Sequence, residues 1–170
     1  SFSKETPLDM RMSASHFHTT AADIVNDATE RELREIFWKY SQERNAKAIA
    51  ALICQERKKK PIETTKQLTC IIERVVKRVG KIHPATKVFQ ALRIAVNNEL
   101  KNIEAFLPVA FKLLNVHGRL ACITFHSLED RIVKDYFRTL VQQGRGSLVF
   151  KKVVCPSEKE VENNPASRSA

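Results

Sequence analysis

The stretch FHSLEDRIVK, residues 125–134, puts His126, Ser127, Glu129 and Asp130 within five residues, directly after the apolar run Leu120-Ala121-Cys122-Ile123. A histidine, a hydroxyl and two carboxylates are the groups that proton transfer, nucleophilic attack or metal binding would use. Their spacing narrows the choice. The members of a Ser-His-Asp relay come from separate parts of a chain, and no glycine elbow surrounds Ser127. His126 and Glu129 supply only a partial metal-ligand set, so no metal is expected. Ser127 followed by Asp130 has the pattern of a capping box ahead of the apolar positions Ile132, Val133, Tyr136 and Phe137, which makes this the start of a helix. Position keeps the chemistry alive: in open α/β sheets, ligands bind at the carboxyl ends of strands, and these residues follow a predicted strand. Capping a helix and lining a site are compatible roles.

The elements that must hold such a site can be read from periodicity. RLACITF, Arg119 to Phe125, has the composition of a short buried parallel strand. Ahead of it a long helical pattern starts at His83 and runs through Phe89, Leu92, Val96, Leu100 and Ile103, past Pro108 to Leu114. His117-Gly118 closes that helix in the manner of a glycine C-terminus. Helix, strand and helix in succession predict α/β architecture. Leu148 to Val154 is a second strand candidate, and Pro156 to Ala170 a polar tail.

The earlier part of the chain reads differently. Ser1 to Thr19 has no helical period and is read as loop. Three capping boxes then follow, Thr20 with Asp23, Thr29 with Glu32 and Thr64 with Gln67, each marking a helix start. Leu33, Ile36, Phe37 and Tyr40 share one helix face. So do Ala46, Ile49, Ala50, Ile53 and Cys54, and so do Leu68, Ile71, Ile72, Val75, Val76 and Val79 before Gly80. Ala21 to Val79 is therefore expected to be an all-helical unit.

Charge points to a polyanionic partner. Lys and Arg total 29 against 19 Asp and Glu in 170 residues, a net charge of +10. Residues 43–81 alone hold 11 basic and 4 acidic side chains, with the run Arg57-Lys58-Lys59-Lys60 and the pair Lys77-Arg78 among them. No apolar run approaches the length of a membrane span, and Ser1 opens no amphipathic, arginine-rich leader, so nucleic acid is preferred over membrane. The four cysteines, Cys54, Cys70, Cys122 and Cys155, form no C-x-x-C pair and are read as buried free thiols, so a reducing compartment, the cytoplasm, is expected. The 4 glycines form no phosphate-cradling loop.

Five ordered stretches add a resemblance. TPLDMRM near the start, TAADIVN at Thr20 to Asn26, HPATKVFQALRIAVNNEL at His83 to Leu100, HGRLACITFHSLEDRIVK at His117 to Lys134 and NPASRSA at Asn164 to Ala170 together resemble the MraW/RsmH family. Its members use S-adenosylmethionine to methylate the exocyclic N4 amine of a cytidine in small-subunit ribosomal RNA. The resemblance implies a Rossmann-like methyltransferase domain, partial here, formed by residues 1–19 and 84–170 and interrupted by an inserted all-α subdomain over 20–83 for RNA recognition. The family's glycine-rich cofactor loop lies upstream of PLDMRM, so the chain resembles the later portion of such an enzyme and its cofactor-binding residues are not assigned. Departures from the family pattern are Thr6 in place of a glycine, Ser13-Ala14-Ser15 for a glycine-rich turn, Ser41 for a helix glycine, His117 in a double glycine and Ala166 in place of a basic residue.

The exocyclic amine of cytosine is a poor nucleophile, because its lone pair is delocalised into the ring. Transfer needs the amine aligned with the methyl group and its hydrogens accepted by oxygen atoms. The resemblance makes Asp9, His126, Ser127 and Asp130 the candidate catalytic residues, and Arg11, Ser167 and Arg168 candidate RNA ligands beside Arg57, Lys58, Lys59, Lys60, Lys77 and Arg78. Arg93 and Asn97 are read as braces on the long helix. The expected partner is small-subunit ribosomal RNA or the small subunit itself, with homodimerisation left open. Two other classes compete: a non-catalytic RNA-binding module, and a helical protein-interaction scaffold whose RNA affinity would show little dependence on salt.

Overall fold

Three of the helix starts lie where a threonine can bond the N3 backbone N–H while the N3 side chain bonds back. The computed structural model describes residues 5–78 and 83–169. In it α1 is Ala21–Asp27, α2 Glu30–Ser41, α3 Ala46–Arg57, α4 Thr65–Val75 and α5 Thr86–Asn97. The reciprocal boxes at Thr20, Thr29 and Thr64 all form. They are followed by α6 Glu99–Lys112, α7 Ser127–Gln142, α8 Glu158–Asn163 and a 3-10 turn at Pro165–Ser169.

The chain divides into two compact units, Ser1–Glu99 and Leu100–Ala170. In the first, α2 packs against α3 and α5, α3 against α4 and α1, and α1 against α5. Their apolar stripes meet in one core that includes Leu8, Val25, Leu33, Phe37, Ile49, Ile53, Leu68, Ile72, Val88 and Leu92. Removing side chains of this size from water stabilises by about 1.5–3 kcal/mol each. In the second unit the buried hydrophobic residues among those described are Leu107, Val133 and Leu140.

The α/β expectation is corrected. The described residues are helical and contain no strand; their one bridge joins Pro7 to Thr64, antiparallel. Neither Arg119–Phe125 nor Leu148–Val154 forms a ladder, and Ile123, Phe125, Phe150 and Val154 are exposed. A strand is stable only between neighbours that take up its N–H and C=O groups, and an apolar run cannot state whether such neighbours exist. A Rossmann-like domain is therefore not present among the described residues.

Three helix boundaries also differ. The single long helix from His83 breaks at Asn98, which adopts the left-handed conformation (φ 51°) and separates α5 from α6; asparagine tolerates that conformation better than most residues. α6 ends at Lys112, and the positive φ in the following loop falls on His117 (66°). Gly118 is needed for a different reason: a Cβ there would lie 2.8 Å from the Asn115 carbonyl oxygen. α4 ends at Val75, with Val76 extended; Val79, Gly80 and Lys81 lie outside the described residues. The cysteines are free as expected but not buried: Cys54 is half-buried and Cys70, Cys122 and Cys155 are exposed.

Candidate functional site

The PLDMRM loop is fastened on three sides within the first unit. Leu8 fills the core, and its N–H donates to the Glu63 carbonyl (2.8 Å). The carbonyls of Leu8 and Asp9 accept from Ala22 and Ala21 (2.7 and 2.8 Å), taking up N–H groups that the first turn of α1 leaves free. Asn97, 1% exposed near the end of α5, accepts from the Met12 N–H (2.7 Å) and donates to the Met10 and Arg93 carbonyls (2.9 and 2.8 Å). Met10 sits at φ 64°, a conformation that a non-glycine residue holds only where its surroundings fix it. Arg93 forms a two-pronged pair with Glu99 (2.7 and 2.9 Å), bracing the Asn98 break.

This clamping sets the geometry of Asp9 and Arg11. Arg11 Nε donates to Asp9 Oδ1 (2.7 Å), Nη2 to Oδ2 (2.8 Å) and the Arg11 backbone N–H to Oδ1 (3.1 Å). Arg11 Nη1 donates to the Phe17 carbonyl (3.2 Å). The Arg11 side-chain hydrogen bond holds the Asp9 carboxyl below the usual aspartate value, and the same pairing raises Arg11. Asp23 is lowered chiefly by hydrogen bonds from Thr20, with a further contribution from Arg11. Asp9 is thus an ionised carboxylate with a side chain 45% exposed. Oδ1 accepts two of these bonds and Oδ2 one, so Oδ2 keeps acceptor capacity on its open side.

The second unit holds the FHSLED residues. The helix cap forms one residue earlier than expected: His126, not Ser127, is the N-cap of α7, and its Nδ1 accepts from the Glu129 N–H (3.4 Å). Glu129 Oε2 reaches back to the N–H groups of Phe125 (2.8 Å) and His126 (3.3 Å). Glutamate is long enough to satisfy two free N–H groups, which favours the His126 frame although histidine is not a preferred cap. His126 Nε2 lies 3.3 Å from Glu129 Oε1 but without hydrogen-bond geometry, and it is buried. Asp130 pairs with Lys134 (2.6 Å), and Ser127 is the exposed first residue of the helix. In the tail, Ser167 Oγ donates to the Asn164 carbonyl (2.8 Å), closing a local turn, and Arg168 is exposed beside it.

The basic residues have unequal freedom. Arg57 turns inward, and its Nη1 donates to the carbonyls of Val25 (2.8 Å) and Ala28 (2.6 Å) at the end of α1. Glu56 pairs with both Lys59 (2.9 Å) and Arg74 (3.1 Å), and these bonds lower its carboxyl. Lys58, Lys60, Lys77 and Arg78 are exposed.

The sequence model of the MraW methylase family matches residues 1–170. The chain belongs to that family. Similar proteins include Ribosomal RNA small subunit methyltransferase H of Coprothermobacter proteolyticus, 50% identical over 164 residues, which are 96% of this chain and 54% of that protein. The protein of the same name from Elusimicrobium minutum is 50% identical over 170 residues, 100% of this chain and 58% of the relative. That of a Sulfurihydrogenibium species is 49% identical over 173 residues, 100% of this chain and 59% of the relative. The chain thus spans little more than half the length of the curated relatives it matches.

Within this MraW-family chain, sequence reasoning undervalued Asn97. Nothing in the sequence marks its bonds to Met10 and Met12, because the apolar period of the helix runs on past it. Arg57, read as an RNA contact, bonds the carbonyls of Val25 and Ala28, partners that no side-chain pattern marks. Two concavities are lined from α1, α2 and the start of α3, and neither includes Asp9, Arg11 or His126.

Proposed function

We propose that this chain takes part in methylating the exocyclic N4 amine of a cytidine in small-subunit ribosomal RNA, with S-adenosylmethionine as the methyl donor. The observation that carries the reading is the clamped loop: a half-exposed, ionised Asp9 with free acceptor capacity on Oδ2, in the unit that also bears Lys58, Lys60, Lys77 and Arg78. The family and the names of its relatives support it.

In this reading Asp9 accepts an N–H of the amine, which localises the nitrogen lone pair as the new bond forms. Arg11 is a positioning residue, because its donors already face Asp9 and Phe17. The exposed lysines and Arg78 hold phosphates, and Lys59 joins them by exchanging its Glu56 partner, since surface pairs are weak. The target base must be unstacked to reach the loop. Ser127 and Arg168 are the exposed polar groups of the second unit proposed to contact RNA, with His126, Asp130 and Ser167 shaping the turns that carry them. No helix among the described residues is long and apolar enough to cross a membrane, and we assign the protein to the cytoplasm.

A second reading, a non-catalytic RNA-binding module, is supported by the exposed Lys58, Lys60, Lys77 and Arg78, which hold phosphates without any cofactor. Incubation with methyl-labelled S-adenosylmethionine and small-subunit RNA separates the two. Label recovered as N4-methylcytidine supports the enzyme; salt-dependent RNA binding without label supports the module.

A further inference from the structure

A concavity of about 730 Å³ lies where the outer face of α2 meets the start of α3, and no residue of the PLDMRM loop lines it. Arg31, Arg34 and Trp38 recur at helical spacing on that face, and Arg44 and Lys47 enter it across the turn at Gln42. That turn is tight because Gln42 adopts the left-handed conformation (φ 51°). Trp38 is 59% exposed, although the rest of α2 buries Leu33 and Phe37 fully.

The acids at this surface do not neutralise it. Glu35 pairs with Arg31 (3.1 Å). Glu43 is 5% exposed, and its Oε1 accepts from the Asn45 N–H and Nδ2 (2.9 and 3.2 Å). Among the described residues Arg34, Arg44 and Lys47 form no ion pair within 4.0 Å. An exposed indole lining one concavity with three such cations matches the two features of a single strand of nucleic acid, a base with a flat face and a phosphate on either side.

We infer that Trp38, with Arg34, Arg44 and Lys47, forms a platform on which an unpaired RNA base stacks while flanking phosphates meet the cations. The inference rests on the reading of this chain as an RNA-contacting protein, and it adds a surface apart from the Asp9 loop and the Arg57–Lys60 run.

Trp38 is the only tryptophan of the chain, so its fluorescence reports the site directly. The 170-residue chain is titrated with a short unstructured RNA, with inorganic polyphosphate as a control for charge, and affinity is followed in parallel by filter binding. The inference expects RNA to quench Trp38 and polyphosphate to leave it bright. Trp38→Ala should weaken RNA binding about tenfold, and Trp38→Phe should restore most of it. Replacing Arg34, Arg44 and Lys47 together with Ala should lower the salt slope of log affinity by about 2. All four side chains are on the surface, and a circular dichroism melt confirms that each variant folds. RNA binding with no quench and no loss in Trp38→Ala overturns the platform and leaves the RNA reading standing. No RNA binding at all overturns both. Trp38 emission that changes with protein concentration alone shows the indole covered by a second copy, which also overturns the platform.

Discussion

The two units of the chain meet the same requirement, hiding apolar side chains, with opposite success. In Ser1–Glu99 the helical stripes close on one another and bury Phe37, Leu33, Ile49, Leu68 and Leu92 almost completely. In Leu100–Ala170 Phe106, Leu113, Val116, Ile123, Phe150 and Val154 all remain more than 60% exposed. The first unit fastens the PLDMRM loop by burying Leu8 in its core and by bonds to Glu63, α1 and Asn97; the second holds its site residues mainly by local caps and turns.

The sharpest way to break this comparison is to truncate one core side chain in each unit. Phe37→Ala should cost about 3–5 kcal/mol in urea unfolding, and Leu140→Ala about 2 kcal/mol, the low end of its class. Equal losses would mean that the second unit has a core of comparable quality. Next in size is the loop clamp. Asn97→Ala strips partners from the Met12 N–H and the Met10 carbonyl and should cost about 1–3 kcal/mol. Hydrogen exchange should then show residues 9–12 opening while α2 stays protected.

Capping offers a smaller test. Thr29→Ala should remove about 1 kcal/mol from the first unit, read as a lowered urea midpoint with an unchanged slope. Smallest is the response to acid. Asp9, Asp23, Glu32 and Glu56, all in the first unit, have carboxyls held below their ordinary values by hydrogen bonds from Arg11, Thr20, Thr29 and Lys59 respectively. A carboxyl lowered on folding contributes stability above its unfolded value, 3.8 for Asp and 4.5 for Glu, and loses it as pH falls through the folded value. The first unit should therefore be less stable at pH below these values than at neutral pH, and Arg11→Met should shrink the part due to Asp9. An acid response unchanged by Arg11→Met would remove that pair from the account.

The comparison also explains what could be read from the sequence. The first unit was legible because its signals are local: threonine boxes at Thr20, Thr29 and Thr64 and apolar stripes of helical period need no distant partner to be recognised. The strand expectation at Arg119–Phe125 failed for the converse reason. Strand identity is a property of neighbours, and an apolar run of β-prone residues carries no record of whether they are present. The break at Asn98 was hidden because the apolar period continues through it. In the site, Asp9 and Arg11 could be named from the resemblance, but their mutual fork, the cap at His126 in place of Ser127 and the inward turn of Arg57 depend on backbone groups that every residue has.

The central claim is that the clamped loop offers Asp9 to the substrate amine. Its most direct test is single-turnover methyl transfer to small-subunit RNA by the chain and by Asp9→Ala and Asp9→Asn, each checked for RNA affinity and melting temperature. The account predicts a loss of about 10²–10⁴-fold in both variants with RNA affinity unchanged and the fold intact. Transfer by Asp9→Ala at the unsubstituted rate would contradict it and remove Asp9 from the chemistry.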